Sequence, residues 1–166
     1  MISAIVAVDN NWGIGFNGEL LEHIPEDLKH FKELTINNIV VMGKKTWESL
    51  PKRPLPNRLN FVVCHTETMN YYNEAVFGNL KDIVEMIKFS QEKDSRHFFI
   101  IGGGQIYKQL LSYCDEVYVT KIYKDHANID TYFPNLDESN EWSGFPIGEI
   151  QTYKDLLYQF WLYKRI

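Results

Sequence analysis

Apolar positions along this chain change period several times, and the changes outline its elements. Residues 2–8, ISAIVAV, are a continuous β-rich apolar run, which predicts a strand buried on both faces. NIVVMG (38–43), NFVVC (60–64) and HFFII (97–101) read the same way, the last running into three glycines. Between the first two runs the period becomes helical. At about 100° per residue, Ile24, Leu28, Phe31 and Thr35 share one face, and Glu26, Lys29, His30 and Glu33 share the opposite, wet face. Asp27 falls on the apolar side, beside Leu28 and Phe31. KKTWESL (44–50) predicts a short helix and QIYKQLLSY (105–113) another. After a short strand near residue 75, Asn79 is placed to cap a helix with Leu80, Ile83, Val84 and Ile87 on one face. DEVYVTKIYKD (115–125) alternates, as a strand at or near a sheet edge would. DTYFP (130–134) is a short extended piece, and LLYQFWLYKRI (156–166) is a last strand with EIQTYKD paired to it.

Strands alternating with helices and followed by a β-rich tail predict an α/β sandwich: a mostly parallel central sheet, antiparallel at the C-terminal end. No repeat or linker divides the chain, so residues 1–166 are expected to form one domain. Two segments stand outside the regular elements. DNNWGIGFNGELLE (9–22) is polar, glycine-punctuated and long for a loop, as binding loops and lids often are. PKRPLPNR (51–58) is a proline-rich turn.

Composition narrows the function classes. The apolar fraction is 45% and the charged fraction 23%, ordinary for a globular protein. A net charge of −5 argues against a general affinity for nucleic acid. No apolar run approaches the roughly 20 residues of a membrane span. Two cysteines, Cys64 and Cys114, are too few for a disulfide framework, and no signal peptide is evident, so a reducing cytoplasm is expected. The five histidines are scattered, and no metal-site spacing occurs.

Three glycine motifs offer candidate chemistry. Gly13-Ile-Gly-Phe-Asn-Gly18 matches a dinucleotide fingerprint in letters, but Asn17-Gly18 is a turn signal and Pro25 interrupts the helix that should follow. Its glycines fit a mobile loop better. Gly43-Lys44-Lys45-Thr46 resembles the end of a P-loop but lacks the earlier glycine, since position 38 is Asn. It still joins a strand to a helix start with two lysines, where a phosphate is favoured. Gly102-Gly103-Gly104 lies at another strand-to-helix junction and lets backbone approach a ligand closely.

Taken in order and spacing, VAVDNNWGIG, IPEDLKHFKELT, VVMGKKTWESLP, RPLPNR, IIGGGQIY, VTKI and DTYFP resemble dihydrofolate reductases, from residue 1 to about residue 134. The resemblance implies a three-layer sandwich with an eight-stranded, mostly parallel sheet and about four helices. It implies NADPH-dependent reduction of 7,8-dihydrofolate to tetrahydrofolate, by hydride transfer to C6 and protonation at N5, in a monomeric antifolate target. Carried over by position, Asp27 is the carboxylate of the pterin pocket and Thr120 the hydroxyl that supports it. Ile5, Ala7, Leu28, Phe31, Leu50, Leu55, Ile101 and Tyr107 match the substrate-side lining, and Arg58 the arginine that grips the glutamyl α-carboxylate. On the cofactor side stand Ala7 and, from the loop, Ile14, Gly15, Gly18 and Leu20. Gly43, Lys44, Lys45 and Thr46 match the phosphate segment, with Val63, Cys64 and His65 at the adenosine end. Ile101, the cis pair Gly102-Gly103, Gly104, Gln105, Ile106 and Tyr107 complete the set.

Asp27 has two readings on local grounds. Acids are favoured in a first helical turn, where they complement the helix dipole. A carboxylate on an apolar face also fits a ligand pocket, its pKa raised by desolvation. A reductase acting on another heterocycle, such as a ribosylated pyrimidine, would share the architecture, as would a silent folate- or nucleotide-binding protein. Asp27 and Arg58, matching the two ends of a folate, favour dihydrofolate.

The sequence also departs from the family. Glu22 replaces the usual tryptophan or other apolar residue. It is expected either to turn outward and pair with a base such as His23, or to reach the pterin pocket through water and raise the apparent pKa of Asp27. Lys44 and Lys45 replace arginine or histidine, giving point charge without a fork. His65 stands where a small hydroxyl residue is frequent, either pairing with a phosphate or capping a strand end, and Gln105 replaces a basic residue.

Overall fold

The computed structural model describes residues 1–166. In chain order its elements begin with β1 (Ile2–Val8), β2 (Gly13–Phe16), β3 (Glu19–Leu20), α1 (Pro25–Thr35), β4 (Ile39–Gly43), α2 (Lys44–Ser49) and β5 (Leu59–Val63). They continue with β6 (Asn70–Tyr72), β7 (Ala75–Gly78), α3 (Leu80–Lys93), β8 (Phe98–Gly102) and α4 (Gly104–Leu110). The last are β9 (Glu116–Ile122), β10 (Thr131–Tyr132), β11 (Trp142–Pro146), β12 (Gln151–Tyr153) and β13 (Leu156–Arg165).

The main sheet runs β11-β13-β9-β1-β8-β4-β5-β7-β6, with β12 paired to β13. Its centre is parallel: β1 pairs in parallel with β8 and β9, β4 with β5 and β8, and β5 with β7. Beyond β9 the C-terminal strands are antiparallel, as expected, and β6 adds a second antiparallel edge. The sheet therefore has ten strands where eight were expected; β12 is the segment read as pairing with the last strand, whereas the short β6 and β11 carry weak patterns that turn residues obscure.

Period-2 alternation builds the two cores. Ile5, Val40, Met42, Val62 and Phe99 point to one face, covered by Phe31 and Leu34 of α1, Trp47 of α2, Leu50 and Leu55. Their neighbours Ala4, Val6, Val41, Phe61 and Ile100 point to the other, covered by Ile83 and Ile87 of α3 and Ile106, Tyr107 and Leu110 of α4. Three layers follow directly, because each central strand must be buried on both sides.

Several expectations shift. The strand read at 115–125 is not an edge: β9 is bonded to β1 on one side and β13 on the other. Its alternation misleads because Glu116 and Thr120 are buried with hydrogen-bond partners, so polar letters stand for interior positions. In α1, which starts with Pro25 at its first position, Leu28 is 57% exposed. His30, assigned to the wet face, is half-buried and stacks on Phe160 with ring centroids 4.0 Å apart. Residues 9–22 are not wholly irregular. They contain the β2–β3 hairpin, turned at Asn17 and Gly18 with φ of 52° and 77°, and β10 extends it into a small second sheet. Asn79 caps α3 as expected, accepting from the Asp82 N–H at 2.9 Å. The helix read at 105–113 ends at Leu110 and closes with a 3-10 turn over Leu111–Tyr113. No helix is long and apolar enough to cross a membrane.

Candidate active site

β1, β9, β8, β4 and β5 run in parallel, so their carboxyl ends emerge along one edge of the sheet. Most candidate residues collect at and just beyond those ends, where open α/β sheets leave a crevice, while Arg58 lies just before β5, beside the end of α1. α1 returns across one face, and its first turn brings Asp27 to β9. The Thr120 hydroxyl donates to Asp27 Oδ1 over 2.6 Å. Burial raises the Asp27 carboxyl above the ordinary aspartate value, although the Thr120 hydrogen bond and the nearby His30 pull it back in part. Tyr107 senses the same charge. Burial and the neighbouring Asp27 push its phenol well up, and the buried hydroxyl donates to the Ile5 carbonyl at 2.6 Å.

Around this carboxylate the surface is apolar. Ile5, Phe31, Leu50, Leu55 and Ile101 belong to one cluster, and Ala7 packs beside Ile24, Ile122 and Tyr158 in another. Leu28, one residue from Asp27, offers an exposed apolar side chain. At the far end of α1, Arg58 is only 6% exposed and no acidic side chain pairs with it. Its Nη1 donates to Thr35 Oγ1 at 3.0 Å and its Nε to the Pro56 carbonyl at 3.0 Å. The Thr35 hydroxyl donates in turn to the Phe31 carbonyl at 2.8 Å. Desolvation lowers the guanidinium pKa, and no counter-ion offsets it. A buried cation held by neutral groups is a natural seat for an anion.

The glycine junction is next to this region. Gly102-Gly103 is a cis peptide, and Gly102 has φ of +132°, a conformation that excludes a side chain at little cost only for glycine. A Cβ built on either residue would lie 3.5 Å from Thr46 Oγ1, so that hydroxyl faces the pair from α2. Gly43 ends the neighbouring strand under Ile106. Lys44 and Lys45 are exposed; Lys44 lies 3.9 Å from Glu48, while Lys45 has no acidic partner. On the next strand, Val63 ends β5, Cys64 is half-buried, and His65 is exposed. Gln105 is exposed in the first turn of α4. Within the hairpin, Ile14 is buried, Gly15 pairs with Leu20 and Thr131, and Gly18 and Leu20 are exposed. A Cβ on Gly13 would collide with Ile129, which shows how closely the hairpin lies on the chain after β9.

Glu22 goes elsewhere than His23. Its Oε1 accepts from Lys124 Nζ at 3.2 Å and lies 3.0 Å from His126 Nε2. Burial would raise the Glu22 carboxyl, but the bonds and charges of His126 and Lys124 together hold it below its usual value. Both contacts of Glu22 run to Lys124 and His126, none to Asp27. Asp9 completes this group: its Oδ2 lies 3.1 Å from His126 Nδ1, and its Oδ1 accepts from the Asn11 and Gly13 N–H groups, both at 2.9 Å. Asp9, Lys124 and His126 were not singled out from sequence. Nothing local marks them, because their meeting depends on β9 lying parallel beside β1.

Comparison with known proteins points the same way as this geometry. The sequence profile of the family described as dihydrofolate reductase matches residues 1–165. A dihydrofolate reductase of Bacillus subtilis (strain 168) is 41% identical over 140 residues, covering 84% of this chain and 79% of that protein. The dihydrofolate reductase type 9 of Escherichia coli is 35% identical over 168 residues, covering 97% and 92%. A bifunctional dihydrofolate reductase-thymidylate synthase of Daucus carota is 38% identical over 180 residues, but this chain spans only 33% of that longer protein.

Proposed function

The chain belongs to the dihydrofolate reductase family, and from that membership we propose how its own residues serve the reduction of 7,8-dihydrofolate to tetrahydrofolate. The observation that carries the reading is the Asp27–Thr120 pair, a half-buried carboxylate on an apolar wall with its pKa raised by burial. A pterin edge presents a ring N–H beside an exocyclic amino group, and one carboxylate accepts from both. Phe31, Leu50, Leu55, Ile5 and Ile101 would pack the ring, and Leu28 would be covered by it. Arg58 would take the α-carboxylate of the glutamyl tail, with Thr35 and Pro56 holding its other N–H groups in place.

The family uses a nicotinamide cofactor, which we take to be NADPH. The residues present fit it: a side-chain-free Gly102-Gly103 pair, a threonine hydroxyl facing that pair, and an unpaired lysine on the adjoining helix suit a dinucleotide pyrophosphate and a further phosphate. Thr46, Lys44 and Lys45 would bind the phosphates, Val63, Cys64 and His65 would flank the adenosine, and Ala7, Ile14, Gly15, Leu20 and Ile101 would enclose the nicotinamide. When bound, the cofactor supplies the hydride that reduces pterin C6. Asp27 orients the ring and, through its charge, favours protonation at N5. A water carries that proton, because Asp27 holds the opposite edge of the pterin. The apolar walls exclude other water and fix the alignment.

We take residues 1–166 as one catalytic unit, acting as a cytoplasmic monomer and open to antifolates that place a cation against Asp27. The test is oxidation of NADPH by the purified protein, with and without dihydrofolate and again with NADH. Dihydrofolate-dependent oxidation that Asp27→Asn strongly slows at neutral pH, with NADPH binding nearly intact, is the expected result. Equal turnover by the variant and its parent would sink the assignment of Asp27.

A further inference from the structure

His126 lies between two carboxylates from opposite ends of the 9–22 segment. Its Nδ1 is 3.1 Å from Asp9 Oδ2 and its Nε2 is 3.0 Å from Glu22 Oε1. A neutral imidazole has one N–H, so its other nitrogen would turn a lone pair toward a carboxylate oxygen. Only the imidazolium donates on both sides. The two carboxylates are not equally free to leave. Asp9 has no exposed side-chain surface, and its Oδ2 also accepts the His126 backbone N–H at 3.2 Å. The Glu22 side chain is 22% exposed and keeps only Lys124 besides. The charged groups facing the ring are Asp9 from the end of β1, Glu22 from the approach to α1, and Lys124 from the same connector. The adjacent Asp125 is turned to Asn11 Nδ2 at 3.3 Å.

We infer that His126 is a positioning residue for the pterin site: as an imidazolium it clamps Glu22 to Asp9, and on losing its proton it leaves Glu22 held by the exposed Lys124 alone. The neutral ring keeps its N–H on the fixed partner, Asp9, so the contact that breaks is the one to Glu22. Glu22 lies between β3 and α1, so losing that contact loosens the entry to the helix that carries Asp27 and Leu28. It also leaves a second carboxylate, close in sequence to Asp27, less tightly held. The consequence for substrate rests on the reading of Asp27 as the pterin anchor; the clamp itself does not.

Glu22→Gln provides the test. Glutamine can accept from an imidazolium through its carbonyl oxygen, or donate an amide N–H to the lone pair of the neutral ring, so its contact survives in both protonation states. KM for dihydrofolate is measured for the wild type and Glu22→Gln at about pH 5 and about pH 9, with the protonation state of the ring at each pH read from its 15N spectrum. The ratio of wild-type KM to variant KM is expected to rise about five-fold between the two, the size of a charge-assisted contact at a partly exposed site. A ratio that does not change with pH overturns the proposal. Ring 15N spectra of His126 supply a readout that needs no turnover. They are expected to show both nitrogens protonated at the lower pH and Nδ1 alone at the higher, and an Nε2–H tautomer at the higher pH overturns the clamp. A protein with the expected spectra but no dihydrofolate turnover would instead refute the functional reading.

Discussion

The Thr120 hydroxyl donates to Asp27 Oδ1 over 2.6 Å, joining the first turn of α1 to the interior of β9. The bond favours the ionised carboxylate, while burial, the larger influence, favours the protonated one. Removing the hydroxyl therefore leaves burial less opposed. Thr120→Val is expected to move the acid limb of the kcat/KM–pH profile to higher pH and to lower kcat/KM about tenfold near neutrality. Thr120→Ser keeps the donor and should leave the limb in place. A profile unchanged by valine would mean the hydroxyl does not govern the ionisation of Asp27.

Asp27→Asn has a second, separable consequence. The folded protein raises the Asp27 pKa, so the folded state binds that proton more tightly than the unfolded chain does. The resulting stability is fully present below the ordinary aspartate value and is lost as pH rises through the raised one. Near neutrality the ionised group is thus a net cost, which asparagine removes. The variant is expected to melt about 2–4 °C higher than the parent near pH 7, with the difference shrinking as pH falls through the raised value and gone below the ordinary aspartate value. Calorimetry against pH measures this, and a lower Tm for the variant near pH 7 contradicts it. Lost activity with gained stability would mark Asp27 as held in place for ligand rather than for folding.

Arg58 leads to a prediction about binding rather than rate. Two of its nitrogens are committed to Thr35 and Pro56, and the remaining N–H groups have no acidic partner. Lysine cannot satisfy those fixed acceptors and a carboxylate together. Arg58→Lys is expected to raise KM for dihydrofolate by about 10- to 100-fold with little change in kcat. A reduced pterin without the glutamyl tail should show no such difference. An equal loss on both substrates would move Arg58 from tail recognition to scaffolding.

The elements of the fold were largely legible because buried parallel strands read as unbroken apolar runs, and α3 carries both its periodicity and its Asn79 cap in local sequence. What misled was polar residues inside. Glu116 and Thr120 made β9 look like an edge strand, and His30 looked solvated although it stacks on Phe160. In the site, Asp27 was legible as a carboxylate on an apolar face, and its partner Thr120 only through family resemblance. The surroundings of Glu22 were not legible at all. His126 is more than one hundred residues away and is brought to Glu22 only because β9 lies beside β1. No window of sequence contains that adjacency.

Cofactor discrimination falls to residues with the least structural support around them. Lys44 leans on Glu48 at 3.9 Å on an exposed helix face, a contact too weak to hold it away from a phosphate. Lys45 is exposed and unpaired, which leaves its full charge for a ligand. Neither has the fork of arginine, so a phosphate would be held by point charge and the hold would weaken with salt. Lys45→Gln is expected to reduce the preference for NADPH over NADH about five-fold by raising KM for NADPH alone, and to flatten the fall of that preference with ionic strength. Steady-state kinetics with both cofactors at low and high salt measure it. A preference that Lys45→Gln leaves intact but His65→Ala removes would place the reading of the phosphate at the end of β5.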